Sequence, residues 1–110
     1  MIDLNFIFLF LVDETFIKIN GRVWYLVVAI NEDRQVLAWD LVMKRDSKTK
    51  SRILQDAISR TLDFPKMIIT DDFSSYKRAV KLLKYNLVHI RHIHRPPYGR
   101  MVIDIHKYEQ

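Results

Sequence analysis

The chain has 110 residues and carries 18 Lys and Arg against 13 Asp and Glu, which gives a formal net charge of +5. This length allows one domain, and an apolar fraction of 49% is enough for a hydrophobic core and excludes a disordered chain. Cysteine is absent, which excludes disulfides, thiolate metal sites and cysteine nucleophiles. The longest apolar run, residues 6–12, is about a third of the ~20 residues that span a bilayer, so we expect no membrane segment.

The first part of the chain predicts a three-stranded antiparallel meander. Nearly every residue over 6–19 is apolar or β-branched, and Asn20-Gly21 supplies the two positive-φ positions of a tight hairpin turn before a second strand over 22–30. A turn at 31–34 then leads to a third strand over 36–43. We expect the Trp and Tyr side chains of these strands to lie in the core.

The second part of the chain alternates helices and strands. Apolar residues recur at helical spacing over 53–62, and a short apolar strand follows over 66–70. A second amphipathic helix carries residues 76–83, a strand follows over 87–93, and residues 101–105 have the composition of a last strand. The order β-β-β-α-β-α-β predicts the α/β fold class, with a mixed sheet in which the fourth strand runs parallel to the first. This is the layout of the ribonuclease-H-like fold, and we treat residues 1–110 as a single domain.

Asp13 is the unexpected residue of the first strand. Apolar segments flank it on both sides, which predicts that the strand is buried on both faces. An unpaired buried carboxylate is costly, so Asp13 should be paired, hydrogen-bonded or bound to a metal ion. The alternative is that the strand breaks at Asp13 and Glu14, with both acids solvated at a bend.

Asp71 follows the apolar strand over 66–70 directly, at the carboxyl end, where open α/β sheets place functional groups. Either Asp71 or Asp72 is also expected to serve as the N-cap of the following helix. In the predicted topology the first and fourth strands are neighbours, so Asp13 and Asp71 would approach each other. Two facing carboxylates suit Mg²⁺ or Mn²⁺, and such ions orient phosphate oxygens and lower the pKa of water.

Four blocks of sequence, in order, resemble the DDE transposases of bacterial and archaeal insertion sequences. Residues 12–21 (VDETFIKING) and 24–30 (WYLVVAI) are similar to the family's DETYIKVNGKWYYLYRAID strands. Residues 44–48 (KRDSK) and 68–76 (IITDDFSSY) are similar to RRDxKAA and xITDGxxSY. The resemblance covers about residues 11–83. It implies a ribonuclease-H-like core in which Asp13 and Asp71 bind Mg²⁺ or Mn²⁺, and it implies metal-dependent DNA strand cleavage and strand transfer.

The third acidic ligand of that family is a Glu some thirty-odd residues after the second Asp, within an N-R-x-E-N helix, and this motif is absent here. Asp104, 33 positions after Asp71, is the candidate third catalytic carboxylate, with Glu109 as the alternative; both lie in a terminal segment without a predicted pairing. We favour a missing downstream segment as the explanation. The resemblance therefore implies a core fragment of impaired activity.

Histidines and basic residues are the remaining candidates. The spacing of His89, His92 and His94 on one predicted strand allows a zinc site, a solvent-facing edge strand or phosphate contacts. Two basic groups suit nonspecific phosphate contacts: Arg91, Arg95 and Arg100 in one, and Lys44, Arg45, Lys48 and Lys50 in the other.

Three functions stay open. The resemblance favours a DNA transposition core, and the alternatives are a non-catalytic remnant with weak DNA binding and a standalone nuclease that completes its site with Asp72 or Asp104. A pI near 9.6 agrees with DNA as the partner. The resemblance further implies a homo-oligomer, as in transpososomes, and a cytoplasmic protein of a prokaryotic cell, associated with the nucleoid when bound to DNA.

Overall fold

The computed structural model describes residues 9–61, 63–71, 73–93 and 99–108. They form six strands and two helices: β1 (Leu9–Ile19), β2 (Arg22–Ile30), β3 (Val36–Val42), α1 (Ser47–Ser59), β4 (Met67–Asp71), α2 (Ser74–Lys81), β5 (Leu87–Ile93) and β6 (Arg100–His106). The strands make one sheet in the order β3-β2-β1-β4-β5-β6. β1 is antiparallel to β2 and parallel to β4, which confirms the predicted mixed α/β sheet.

The β1–β2 hairpin turns at Asn20-Gly21, as predicted. Asn20 has φ 51° and Gly21 has φ 77°, the left-handed conformation that these two residue types adopt most readily. The turn sets the register, which pairs Ile19 with Arg22 and Asp13 with Val28. β1 is therefore continuous through Asp13 and Glu14, and the alternative of a bend at these acids is wrong.

Both helices cover the same face of the sheet. α1 begins at its N-cap Asp46, whose carboxylate accepts a hydrogen bond from the Thr49 N–H at 2.7 Å. The apolar positions of α1 and α2 pack with the inward residues of the strands into one core, which includes Phe10, Val12, Val27, Ala29, Ile53, Leu54, Ala57, Ile68, Tyr76, Ala79 and Val80. In the described part of the chain no helix is long and apolar enough to cross a bilayer.

The opposite face of the sheet is not covered by either helix. Several of its apolar side chains are exposed, including Leu11 at 39%, Trp39 at 64% and Ile103 at 62%. Asp13 lies on this face and is exposed. The prediction that β1 is buried on both faces is therefore wrong, and so is the core placement of Trp39, because sequence alternation does not reveal that one face lacks a covering layer.

β5 lies inside the sheet, between β4 and β6, so the expectation of a solvent-facing edge strand at His89 is wrong. The last strand pairs with β5 in antiparallel register, with Asp104 opposite His89. The segment that carries Asp104 is thus paired rather than free. His94, Arg95, Asp72 and Glu109 lie outside the described residues.

Candidate active site

Asp13 and Asp71 line the same cavity on the uncovered face. The parallel strands β1 and β4 pair Leu11 with Ile69, and each Asp follows two residues later, so both side chains lie on one face. The cavity has a volume of about 310 Å³ and is lined by Leu11, Val12, Asp13, Ile69, Thr70, Asp71, His92 and Met101. The structure therefore brings together the two carboxylates that the sequence singled out.

Backbone N–H groups hold one oxygen of each carboxylate. Asp13 Oδ1 accepts from the Glu14 N–H at 2.8 Å, and Asp71 Oδ1 accepts from the Phe73 N–H at 2.9 Å. The N-cap of α2 is Phe73, which makes no side-chain capping hydrogen bond. The prediction that Asp71 or Asp72 is the N-cap is therefore wrong: the Asp71 carboxylate instead accepts a hydrogen bond from the N–H of the N-cap residue itself.

His92 is the cavity residue whose position the sequence did not predict. It is the register partner of Asp71 on β5 and lines the same cavity. A Cβ atom added at Gly99 would lie 3.2 Å from His92 Nε2, so the glycine allows the backbone to approach the imidazole closely. A prediction that β4 and β5 pair in this parallel register would have placed His92 beside Asp71.

Asp104 lies on the helix-covered face, away from the cavity. Its Oδ2 accepts from Arg91 Nε at 2.7 Å. Burial acts to raise the pKa of the Asp104 carboxyl, but its hydrogen bond and ion pair with Arg91 outweigh this effect and hold the pKa below its usual range. The structure thus pairs Asp104 with Arg91 and does not bring it to Asp13 and Asp71.

The donor set of the cavity suits a hard divalent cation. Asp13 and Asp71 offer carboxylate oxygens, which Mg²⁺ and Mn²⁺ prefer. Within the described residues, no group of three or more His, Cys, Asp and Glu side chains is placed to hold an ion together. His89 and His92 lie on opposite faces of β5, so these two residues cannot share the zinc site predicted for His89, His92 and His94, and His94 lies outside the described residues.

The basic group predicted near the start of α1 divides into two environments. Lys44 and Lys48 are exposed, whereas Lys50 is buried and forms an ion pair with Glu14 at 3.2 Å. Arg45 also pairs with Glu14. Phosphate contacts by Lys50 are excluded by its burial, because its ammonium group is enclosed by protein.

The comparisons with known sequences identify a family. The DDE domain of IS240-type transposases matches residues 8–98 of the chain. A search of curated proteins gave no significant match.

Solved structures agree with the fold. The HTLV-2 integrase catalytic core domain in complex with magnesium aligns with a TM-score of 0.63 at 21% identity, over 76% of this chain and 59% of that one. A chain of the simian T-cell lymphotropic virus intasome aligns with a TM-score of 0.59 at 21% identity, over 80% of this chain and 32% of that one. The chain thus spans little more than half of the integrase core, with which it shares the ribonuclease-H-like fold. Because the family match extends over most of the sequence, the chain belongs to the DDE domain family of IS240-type transposases.

Proposed function

We propose that the chain is the catalytic core of a protein that transposes DNA, and that Asp13 and Asp71 bind the Mg²⁺ or Mn²⁺ ions used for strand cleavage and strand transfer. The observation that carries the proposal is the shared cavity, in which two carboxylates stand at corresponding positions of adjacent parallel strands. Membership of the DDE domain family supports the same class of reaction.

The chain's own residues would position the reacting groups. Among the described residues, the Oδ1 atoms of Asp13 and Asp71 are held by backbone N–H groups, which leaves both Oδ2 atoms for an ion. When bound, a divalent ion supplies positive charge to phosphate oxygens and lowers the pKa of water. The exposed side of the cavity would admit a DNA backbone.

DNA is the proposed partner, bound through its phosphates. The formal net charge is +5, and α2 presents three exposed cations at Lys77, Arg78 and Lys81. Such contacts give affinity without base selectivity. The proposal includes a homo-oligomer, because transposition requires two DNA ends to be held together. It also includes a location in the cytoplasm of a prokaryotic cell.

Metal-induced stabilisation tests the proposal directly. We expect Mn²⁺ to raise the unfolding temperature of the wild-type chain, and Asp13→Asn and Asp71→Asn each to abolish that increase. Asp104→Asn, which removes a carboxylate from the other face, is the matched control and should keep the wild-type response. An equal response to Mn²⁺ in all four proteins would contradict the assignment of Asp13 and Asp71.

A non-catalytic remnant is the second candidate. It is favoured by one observation: among the described residues, no third His, Cys, Asp or Glu side chain is placed to hold an ion together with Asp13 and Asp71, although His92 lines the same cavity. Two carboxylates alone hold ions loosely, and phosphoryl transfer depends strongly on placement. A chain that binds Mn²⁺ weakly and does not cleave DNA would match this candidate.

A further inference from the structure

Glu14 is buried directly behind the exposed Asp13. Consecutive residues of a strand point to opposite faces, so the Glu14 side chain enters the helix-covered face and is only 5% exposed. Its Oε2 accepts from the Tyr76 hydroxyl at 3.1 Å and pairs with Lys50 Nζ at 3.2 Å. Its Oε1 pairs with Arg45. The three partners come from α2, from α1 and from the loop before α1.

Aromatic rings enclose the two cations that face Glu14. Arg45 lies over the Phe73 ring at 3.5 Å and over the Tyr25 ring at 4.9 Å. Lys50, which is 1% exposed, lies 4.3 Å from the Phe73 ring centroid and donates to Ser75 Oγ at 2.7 Å. Burial lowers the pKa of Lys50, and the Glu14 carboxylate opposes that decrease. We call Glu14, Arg45, Lys50, Phe73 and Tyr76 the Glu14 cluster.

The Glu14 cluster reaches both carboxylates of the cavity. The N–H that binds Asp13 belongs to Glu14, and the N–H that binds Asp71 belongs to Phe73. Asp71 also borders a second, smaller cavity of about 160 Å³, which Glu14 and Arg45 line from the cluster side. Each carboxylate is thus held by the backbone of a residue whose own side chain is fixed inside the cluster.

We propose that Glu14 is a positioning residue, whose buried ion pairs with Arg45 and Lys50 set the placement of the Asp13 and Asp71 carboxylates on the opposite face. The inference rests on the proposed function for what the two carboxylates bind. It also explains why three separate blocks of the sequence meet here. Glu14 follows Asp13 in the first block, Arg45 belongs to the RRDxKAA-like block, and Tyr76 ends the block that contains Asp71.

The test separates positioning from simple stabilisation. Glu14→Leu alone would leave Lys50 buried without its counter-ion, so it should unfold readily. The double variant Glu14→Leu/Lys50→Met replaces the pair with apolar side chains of similar volume and should retain the fold, because such exchanges are often neutral in stability. The matched control is Asp40→Asn/Arg52→Met, which removes an exposed pair, 3.9 Å apart, that also involves α1.

Two measurements are made on each protein. The first is the dissociation constant for Mn²⁺, which should rise about tenfold to a hundredfold in the double variant and stay unchanged in the control. The second needs no metal: NMR hydrogen exchange of the Glu14 and Phe73 amides should be on the order of tenfold faster in the double variant, because these N–H groups lose their fixed carboxylate partners.

The outcomes are distinguishable. A folded double variant with wild-type amide exchange and wild-type Mn²⁺ affinity would overturn the positioning role and leave Glu14 as a stabilising residue. If the wild-type chain binds no Mn²⁺, the proposed function fails, and amide exchange alone decides the positioning role. If the double variant does not fold, Tyr76→Phe is used, since it removes one hydrogen bond to Glu14 without changing charge. It should accelerate exchange of the Glu14 amide, and unchanged exchange would contradict the proposal.

Discussion

His89 Nε2 lies 2.8 Å from Thr70 Oγ1, inside the helix-covered face of the sheet. The Thr70 hydroxyl donates its proton to the Asp71 carbonyl at 2.7 Å, so it can only accept from the imidazole. The His89 imidazole therefore carries a proton on Nε2, and its buried Nδ1 has no hydrogen-bond partner among the described residues. Burial lowers the pKa of His89 to about 4, and the Asp104 carboxylate opposes this effect.

Stability should fall in mild acid because of His89. Its pKa is about 4 in the folded chain and 6.5 ordinarily, so the unfolded state binds the proton more tightly. The stabilisation is fully present above pH ~6.5 and decreases by up to about 3 kcal/mol as the pH falls toward 4. Urea unfolding at pH 7.5, 5.5 and 4.5 measures it. His89→Gln, which retains a donor to Thr70, should lose this part of the pH dependence; an identical pH profile would contradict the assignment.

The core on the helix-covered face should carry most of the stability. Leu54 is fully buried in α1, so Leu54→Ala removes packed side-chain atoms and leaves a cavity. We expect the free energy of unfolding to decrease by about 2 to 5 kcal/mol, measured by urea denaturation. Gln55→Ala on the exposed side of the same helix is the control and should change stability little. Equal effects of the two substitutions would mean that α1 does not pack as described.

DNA binding should depend steeply on salt. Because the affinity comes from phosphate contacts, it should tolerate changes of sequence and decrease as salt is added. Arg78→Gln and Lys81→Gln should each reduce the slope of log Kd against log salt by about 1, measured by fluorescence anisotropy with duplexes of different sequence. Lys18→Gln, an exposed cation near the distant hairpin turn, serves as the control. Affinity that is sequence-selective and independent of salt would oppose this interface.

Cleavage by this chain alone should be weak or absent. Asp13 and Asp71 supply two carboxylates, and the Asp104 carboxylate lies on the other face of the sheet. Incubation of the purified protein with supercoiled plasmid and Mn²⁺ should give little nicked product. Rapid nicking that persists in Asp104→Asn but disappears in Asp13→Asn would show that a third carboxylate from Asp104 is unnecessary. Rapid nicking abolished by Asp104→Asn would restore Asp104 as the third catalytic carboxylate.

Local patterns in the sequence determined the elements and their order. Asn20-Gly21 specifies a tight hairpin because both residues accept a positive φ, and helical spacing of apolar residues specifies α1 and α2. A meander followed by a helical crossover then places the fourth strand parallel to the first. The adjacency of Asp13 and Asp71 follows from that order, so the sequence was sufficient to predict it.

Only the tertiary structure decided which side of the sheet each polar residue occupies. Alternation along β1 determines that Asp13 and Glu14 face opposite ways, but the packing of both helices on one face decides that Glu14 is buried and Asp13 is exposed. In the same way, the register of β6 against β5 places Asp104 opposite His89, where its carboxylate forms an ion pair with Arg91 on the face away from the cavity. These outcomes depend on contacts between segments far apart in the chain, and a local pattern carries no information about which of two equivalent faces a distant helix will cover.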